Sequence, residues 1–335
     1  MFDKVVIVTK ETQLEQLVKK FSSKSQAEFY IAQSYRAYRT ASMPQAASAA
    51  AIKEEEKKIK AGLEEVEIAD RVYRSALEKI KRAVPADMRL QHIDWTHLPN
   101  FLFSERDLVM ALGQDGLVIN TAKYLDGQPI FAVNPDPGRF DGVLLPFDVE
   151  SASSRMNMVL RGEYDVSRIT IAKATLNDGQ EIYGVNDIFI GPGSHTSFRY
   201  IINHEGAEEP QSSSGIIVST GAGSTGWFKS IIEGAMHVAG RREVPGEESV
   251  PGRFPWDSDY LYFTVREPFE SRTSGCGIVF GRINEGAPVV ITSQMPSGGV
   301  IFSDGIEKDF LEFNSGKIAT VGIAEKKALL INRPD

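Results

Sequence analysis

The chain changes its pattern at about residue 148, and that change limits the fold more than any other feature. Before it, apolar runs alternate with helical stretches. "KVVIVTK" (4–10) is β-branched and apolar, as in a strand buried on both faces. Residues 11–84 read as mostly helical. Within them Ile52, Ile59, Leu63, Val66, Tyr73, Leu77 and Ile80 fall at intervals of seven, four, three, seven, four and three, one face of a long helix. "KEEEKK" (53–58) is solvated near its start, and Pro85 ends it. "RLQHIDW", "DLVMALG" and "PIFAVN" follow as short strands, with "LVINTAKYLDG" as a helix between the last two. Such alternation predicts a parallel sheet with helical crossovers.

After residue 148 the pattern is many short strands, such as "SRITIAKATL", "EIYGVNDIFIG", "FRYIINHEG", "YLYFTVRE" and "PVVITSQM", set apart by Gly, Pro, Asn and Ser turns. That half reads as mainly antiparallel β. The expectation is an α/β domain over 1–148, with a final helix returning to it from the C-terminus, and a β-rich domain over 149–335. "GRREVPGEESVPGRFPWDSD" (240–259) reads as a loop or an ordered lid.

Composition excludes several classes. The 335 residues carry a formal net charge of -8, and no dense Lys/Arg stripe stands out, which argues against nucleic acid or an anionic membrane as a main partner. A local loop can still bind phosphate whatever the total charge. The single cysteine, Cys276, rules out an internal disulfide and a Cys-rich metal cluster. The five histidines show no paired metal-ligand spacing. No apolar run approaches the roughly 18 residues of a membrane span. The amino terminus enters a strand almost at once, so a cytoplasmic protein without a leader is expected. Neither a Walker A lysine loop nor a G-x-S-x-G elbow is present.

Three glycine-rich or turn-like stretches carry possible chemistry. In "STGAGSTGW" (219–227), Gly221, Gly223 and Gly226 have the dinucleotide spacing G-x-G-x-x-G. A dinucleotide fingerprint belongs in the first βα turn of a parallel unit, with an acidic residue ending the next strand. Here the glycines lie in the β-rich half, and Glu243 has no strand before it, so that reading fails. What remains is a helix amino terminus rich in hydroxyls and free amides, either a phosphate loop or a plain Ser/Thr cap. In "ALGQDGLVI" (111–119) an apolar strand runs through Gly113, Gln114, Asp115 and Gly116 into a helix. An Asp at that strand end suits a general base, or an Asp-Gly turn. In "YGVNDIFIG" (183–191), Asn186 and Asp187 suit two ribose hydroxyls, or a turn.

Taken in order, "GQDG" (113–116), "PIFAVNPDPGRFDG" (129–142), "VND" (185–187), "STGAGST" (219–225) and "SDG" (303–305) resemble the motifs of the NAD kinase family. "VNPDPGRFDGVLLPF", "SSSGIIVSTGAGSTGW" and "FTVREPFESR" look most like its mitochondrial-type branch and that branch's bacterial members. The resemblance spans nearly the whole chain and is most specific over residues 108–232. It implies an amino-terminal α/β domain, a carboxyl-terminal β-rich domain and a cleft between them. It also implies phosphoryl transfer from ATP or polyphosphate to the 2′-hydroxyl of the adenosine ribose of NAD, with Mg2+ arriving on ATP.

Carried over by motif, Asp115 would be the base, placed by Gly113 and Gly116. Asn186 and Asp187 would hold the substrate nucleotide, and Thr225, Gly226 and Trp227 would line its adenine end. Ser224 and the loop amides would approach phosphate, and Lys10, ending the first strand, would join the nucleotide site. The family forms homo-oligomers and this branch dimers; the apolar face of helix 52–82 is one surface that could serve. The sequence departs from the family at Gln114, where a second glycine is usual, at Asp187, where Glu is usual, and at Ala222 and Gly226. Ser214 stands where typical members carry Asp, a Ser that the mitochondrial-type branch shares. These departures leave two other readings, a kinase of the same fold for another nucleoside or sugar and a non-catalytic nucleotide sensor.

Overall fold

The computed structural model describes residues 2–42, 49–240 and 253–333. Two compact units result, the first made of Met1–Asn100, Met110–Leu117 and Ala132–Glu163, the second of Phe101–Val109, Val118–Phe131 and Tyr164–Asp335.

The first unit is α/β. Strand β1 (Lys4–Thr9) is followed by helices α1 (Gln13–Phe21), α2 (Lys24–Ser42) and α3 (Ala49–Ala83) and by strand β2 (Arg89–Asp94). β1 and β2 pair in parallel, Lys4 with Arg89 through Thr9 with Asp94. Val5 to Val8 are wholly buried, as a β-branched run between two covered faces requires. A capping box starts α1: Thr12 Oγ1 accepts the Glu15 N–H, and the Glu15 carboxylate accepts the Thr12 N–H. On α3, Leu63, Val66 and Ile80 are buried at the expected spacing, and Ile59, Tyr73 and Leu77 are half-buried; the side chain of Ile52 lies outside the described residues. Strand β3 (Asp107–Leu112), helix α4 (Asp115–Ala122) and strand β4 (Pro129–Asn134) each pass from one unit to the other along the chain. The strand order is β4-β3-β1-β2, with the short β5 (Phe147–Asp148) parallel to the end of β4.

Helix α5 (Val149–Leu160) closes this unit, which is a correction to a boundary at 148. Its Ser-rich sequence hides the apolar face made by Ala152, Met156, Val159 and Leu160, while Asp148 and Ser151 cap its start reciprocally.

The second unit is β-rich. In chain order its strands are β6 (Val166–Leu176), β7 (Glu181–Gly184), β8 (Asp187–Pro192), β9 (Phe198–His204), β10 (Ala207–Ser213) and β11 (Ile216–Ser219). Helix α6 (Trp227–Val238) follows, then β12 (Tyr260–Val265), β13 (Phe280–Asn284), β14 (Val289–Ser293), β15 (Gly299–Ser303), β16 (Phe310–Glu312) and β17 (Ile318–Ile331). One sheet runs β10-β9-β14-β17, with β6 also antiparallel on β17; the other runs β13-β12-β11-β8-β15-β16.

Alternation decides the packing of the second sheet. Ile188, Ile190, Ile216, Val218 and Ile301 face a core shared with Tyr200, Ile202, Ile291 and Val321 of the first sheet. Phe189, Ile217 and Phe302 face the other way and are covered by Trp227 and Ile231 of α6. The C-terminus is a strand and not a helix: β17 lies parallel to β4 at Leu329 and Leu330. Of the expected loop at 240–259, residues 241–252 lie outside the described residues.

Candidate functional site

The residues singled out in the sequence gather in two clusters, one in each unit. In the first unit Tyr73 of α3 joins two strand ends. Its hydroxyl donates to the Leu112 carbonyl at 2.8 Å and accepts the Lys10 N–H at 3.3 Å, and burial pushes it up to about 12. The GQDG loop begins one residue after that anchor. Gly113 donates its N–H to Val133, and a β-carbon there would stand 2.8 Å from Leu117 Cδ2, so this glycine serves the close start of α4. Gln114 is exposed and Gly116 faces open space.

Asp115 is the first residue of α4 and is partly exposed. Its Oδ1 accepts the Leu144 N–H at 2.9 Å and its Oδ2 the Val143 N–H at 3.2 Å. The loop that supplies those amides is folded on Asn134, whose side chain donates to the Phe140 carbonyl and accepts the Asp136 N–H. The Lys10 ammonium lies 5.1 Å from the Trp95 ring centre. Tyr73, Val143 and Leu144 were not legible as partners of this loop, because their role depends on contacts distant in sequence.

In the second unit the Val185–Asp187 turn, between β7 and β8, is gripped from two sides. Asp304, at a positive φ of 54° in the β15–β16 turn, accepts the N–H groups of Val185 at 3.1 Å, Asn186 at 2.7 Å and Asp187 at 3.4 Å. From the other side Thr220 donates its hydroxyl to the Val185 carbonyl at 2.5 Å and its N–H to the Asn186 carbonyl at 2.9 Å. The glycines of the STGAGST loop serve this grip. A β-carbon on Gly223 would meet the Asn186 carbonyl oxygen at 2.1 Å, and one on Gly221 the Pro255 carbonyl oxygen at 1.9 Å.

Asp187 is only 8% exposed, and among the described residues its carboxylate has no hydrogen-bond donor. Burial, with the neighbouring charge of Asp304 adding to it, pushes it up to about 7. Asp304 is itself raised to about 6 by burial, against the pull of its three backbone N–H groups and of Lys123. The Asp187 oxygens are not among the fully buried unpaired polar atoms of the described residues, so a ligand hydroxyl or amine can reach them.

The rest of the loop divides into inward and outward groups. Ser224 is fully buried, donating its hydroxyl to the Gly221 carbonyl at 2.7 Å, so this side chain ties the loop and does not reach toward a phosphate. Thr225 and Gly226 are exposed at the start of α6, and no side chain caps that helix at Gly226. Its first amides and positive dipole end suit an anion. The Trp227 ring stacks on Phe189 at 5.6 Å, and the Arg266 guanidinium lies 5.1 Å from its centre. These groups line a cavity of about 810 Å3 together with Phe302, His195 and Ser214. Glu267 and Glu307 also line it, with Glu267 3.6 Å from Arg266, so the aromatic floor suits a flat ligand.

No family model matches the chain. It is 30% identical over 138 residues to a protein named NAD kinase from Thermoanaerobacter sp., covering 38% of this chain and 47% of that protein. It is 27% identical over 161 residues to another of that name from Heliobacterium modesticaldum, covering 45% and 56%. The chain thus spans about half the length of the curated relatives it matches. In fold it is similar to yeast NADH kinase complexed with NADH, with a TM-score of 0.55 and 16% identity over 78% of this chain and 80% of that one. It is also similar to an NAD kinase from Archaeoglobus fulgidus in complex with ATP, with a TM-score of 0.51 and 14% identity over 98% and 93%. Over those segments the chain is similar in sequence to NAD kinases, and over nearly its whole length it shares their fold.

Proposed function

We propose that this protein is an NAD kinase, moving a phosphoryl group from magnesium-bound ATP, or from polyphosphate, to the 2′-hydroxyl of the adenosine ribose of NAD. The observation that carries the reading is Asp187: a carboxylate nine-tenths buried, held on a turn gripped from both sides, and without a donor among the described residues. A nucleoside brings the hydroxyls and amine that such a group needs. The relatives' names, and the ligands named for the two similar structures, support the same substrate class.

In this reading Asn186 and Asp187 hold the nucleoside, and the exposed start of α6 at Thr225 and Gly226 takes phosphate. Gly113, Gln114 and Gly116 shape the loop that carries Asp115. Asp115 acts as the base: each of its oxygens accepts one backbone N–H and keeps a second lone-pair direction for a substrate hydroxyl. Magnesium comes with the donor's phosphates and offsets their charge. Lys10 and Trp227 contribute to nucleotide binding through the groups around them. A homodimer and a cytoplasmic location belong to the same proposal, to be checked by light scattering and by cell fractionation.

A non-catalytic nucleotide sensor is the second reading. It is favoured by the two amides already bound to Asp115, which also suit a purely structural aspartate. The deciding experiment measures NADP formation from NAD with ATP or polyphosphate and magnesium, with Asp115→Asn as control. Turnover that collapses in Asp115→Asn supports the kinase and its base. Wild-type protein that binds NAD without turnover supports the sensor, and absence of both binding and turnover overturns both readings.

A further inference from the structure

Lys123 is an unusual residue for its surroundings. It is 5% exposed, the first residue after α4, and Asn120–Tyr124 otherwise carries no charge. A buried ammonium is costly unless paired. Its Nζ lies 3.5 Å from Ser303 Oγ and 3.4 Å from Asp309 Oδ2. Ser303 is the residue immediately before Asp304, and the positive charge of Lys123 acts on the Asp304 carboxylate. Asp309, the ion-pair partner of Lys123, is only half-buried, its side chain 43% exposed, so solvent screens part of its charge.

Lys123 is also held in place from behind. Lys326, beside the irregularity in β17 between Ile323 and Lys327, donates to the carbonyls of Lys123 at 3.1 Å and Leu125 at 2.9 Å. A cation on the last carbonyls of a helical segment satisfies groups that the helix leaves open. Lys326 thus holds the backbone at Lys123, the Lys123 ammonium reaches Ser303 and Asp309, and Ser303 precedes the Asp304 that accepts the three amides of the Val185–Asp187 turn.

We propose that Lys123 is a positioning residue of the nucleotide site: its buried ammonium is the counter-charge that keeps Asp304 clamped on the amides of Val185, Asn186 and Asp187, and so fixes the turn that presents Asp187 to the ligand. Only an ionised carboxylate offers acceptor sites to three N–H groups without placing a proton among them. Asp187, a buried carboxyl on the turn that Asp304 grips, repels it, and the charge of Lys123 acts the other way. Tyr124, Asp309 and Lys326 also stand beside Lys123 among the described residues, and Tyr124 donates its hydroxyl to Asp309. The nucleotide half of this inference rests on the kinase reading above; the clamp does not.

The first test needs no substrate. Amide hydrogen exchange at Val185–Asp187 is compared in the full-length wild type and Lys123→Met near neutral pH. The clamp predicts protection at these amides lower by at least about ten-fold, with β9 unchanged, and the difference narrowing as pH rises and Asp304 ionises without help. Asp309→Asn should leave the turn's protection as it is. Unchanged exchange in a folded Lys123→Met, or an equal loss in Asp309→Asn, overturns the clamp.

In the kinase assay Lys123→Met should raise KM for NAD about ten-fold while kcat stays within about three-fold, and the KM effect should shrink at higher pH. A loss confined to kcat, or one independent of pH, overturns the positioning role. If Lys123→Met does not fold, the double variant with Asp304→Asn decides, because removing both charges together restores balance. A double variant that folds supports the pairing, and one that also fails to fold shows that Lys123 serves packing and overturns it. Wild-type protein that neither binds nor phosphorylates NAD sinks the functional reading alone, since the exchange experiment still judges the clamp.

Discussion

Gly223 and Asn186 meet backbone to backbone: a β-carbon on Gly223 would stand 2.1 Å from the Asn186 carbonyl oxygen. The glycine that looks like part of a phosphate loop is required by the protein's own main chain. Gly223→Ala should therefore destabilise the protein by about 1–3 kcal/mol, as overpacking against an immovable group does, and should weaken nucleotide binding with it. Denaturant unfolding of the variant checks the first effect, and a Gly223→Ala protein as stable as wild type refutes the contact.

Gly62 is the opposite case. It lies in the middle of α3 with nothing within 4 Å of a β-carbon. Gly62→Ala should raise stability by about 0.5–1 kcal/mol, because alanine loses less backbone freedom on entering a helix. A fall in midpoint would mean that α3 is not helical at this position.

Asp187 and Asp304 predict a pH dependence with a definite sign. Both carboxyls are raised in the folded state, Asp187 from 3.8 to about 7 and Asp304 to about 6, so the fold holds these protons more tightly than the unfolded chain does. Their contribution is fully present below about pH 4 and is lost as pH rises through about 6–7. For the buried Asp187 the loss is on the order of a few kcal/mol. Unfolding followed from pH 5 to 8 should show stability falling, with a flatter profile in Asp187→Asn. A profile that rises across this range contradicts the buried carboxyl pair.

Asp115 separates catalysis from structure by choice of substitute. Asn keeps one carbonyl oxygen for the Leu144 or Val143 amide, whereas Ala keeps none. If Asp115 is the base, Asp115→Asn should lose about 10²–10⁴-fold in kcat with little change in unfolding midpoint. Asp115→Ala should lose about 1–3 kcal/mol of stability as well. Equal kcat in Asp115→Asn and wild type would leave Asp115 only its structural role.

Tyr73→Phe removes the hydroxyl shared by the Leu112 carbonyl and the Lys10 N–H. The expected cost is about 1–3 kcal/mol, since two backbone groups lose their partner. Calorimetric unfolding of the variant measures it, and a Tm equal to wild type would show that water replaces the hydroxyl.

The elements legible in the sequence are those whose signal is short-ranged. β1 announces itself by a β-branched run, α3 by its seven-residue spacing, and β8 and β11 by alternating apolar side chains that fill a core on one face and meet α6 on the other. β10 was hidden because "AEEPQSS" is polar and contains Pro210; it is a strand because it borders the sheet and pairs on one side with β9. α5 was hidden for a similar reason, its apolar face interrupted by serines, although Asp148 and Ser151 gave a capping signal. "KIATVGIA" (317–324) reads as a strand, and the residues after it, where a final helix was expected, continue that strand as β17, because β6 offers an antiparallel ladder from Ala319 to Ile331.

By itself the sequence determined the two-part architecture, the order of the motif loops and the residue types available for chemistry, since these follow from periodicity and turn chemistry within a dozen residues. Only the tertiary structure decided what those residues do. It turned Ser224 inward and left Thr225 exposed, gave the glycines of the loop to backbone contacts, and left Asp187 buried without a donor among the described residues. It also brought Lys123 to Ser303 across 180 positions of chain. The physical reason is that the energy of a buried charge depends on which groups share its low-dielectric surroundings, and those groups come from segments that no local stretch of sequence contains.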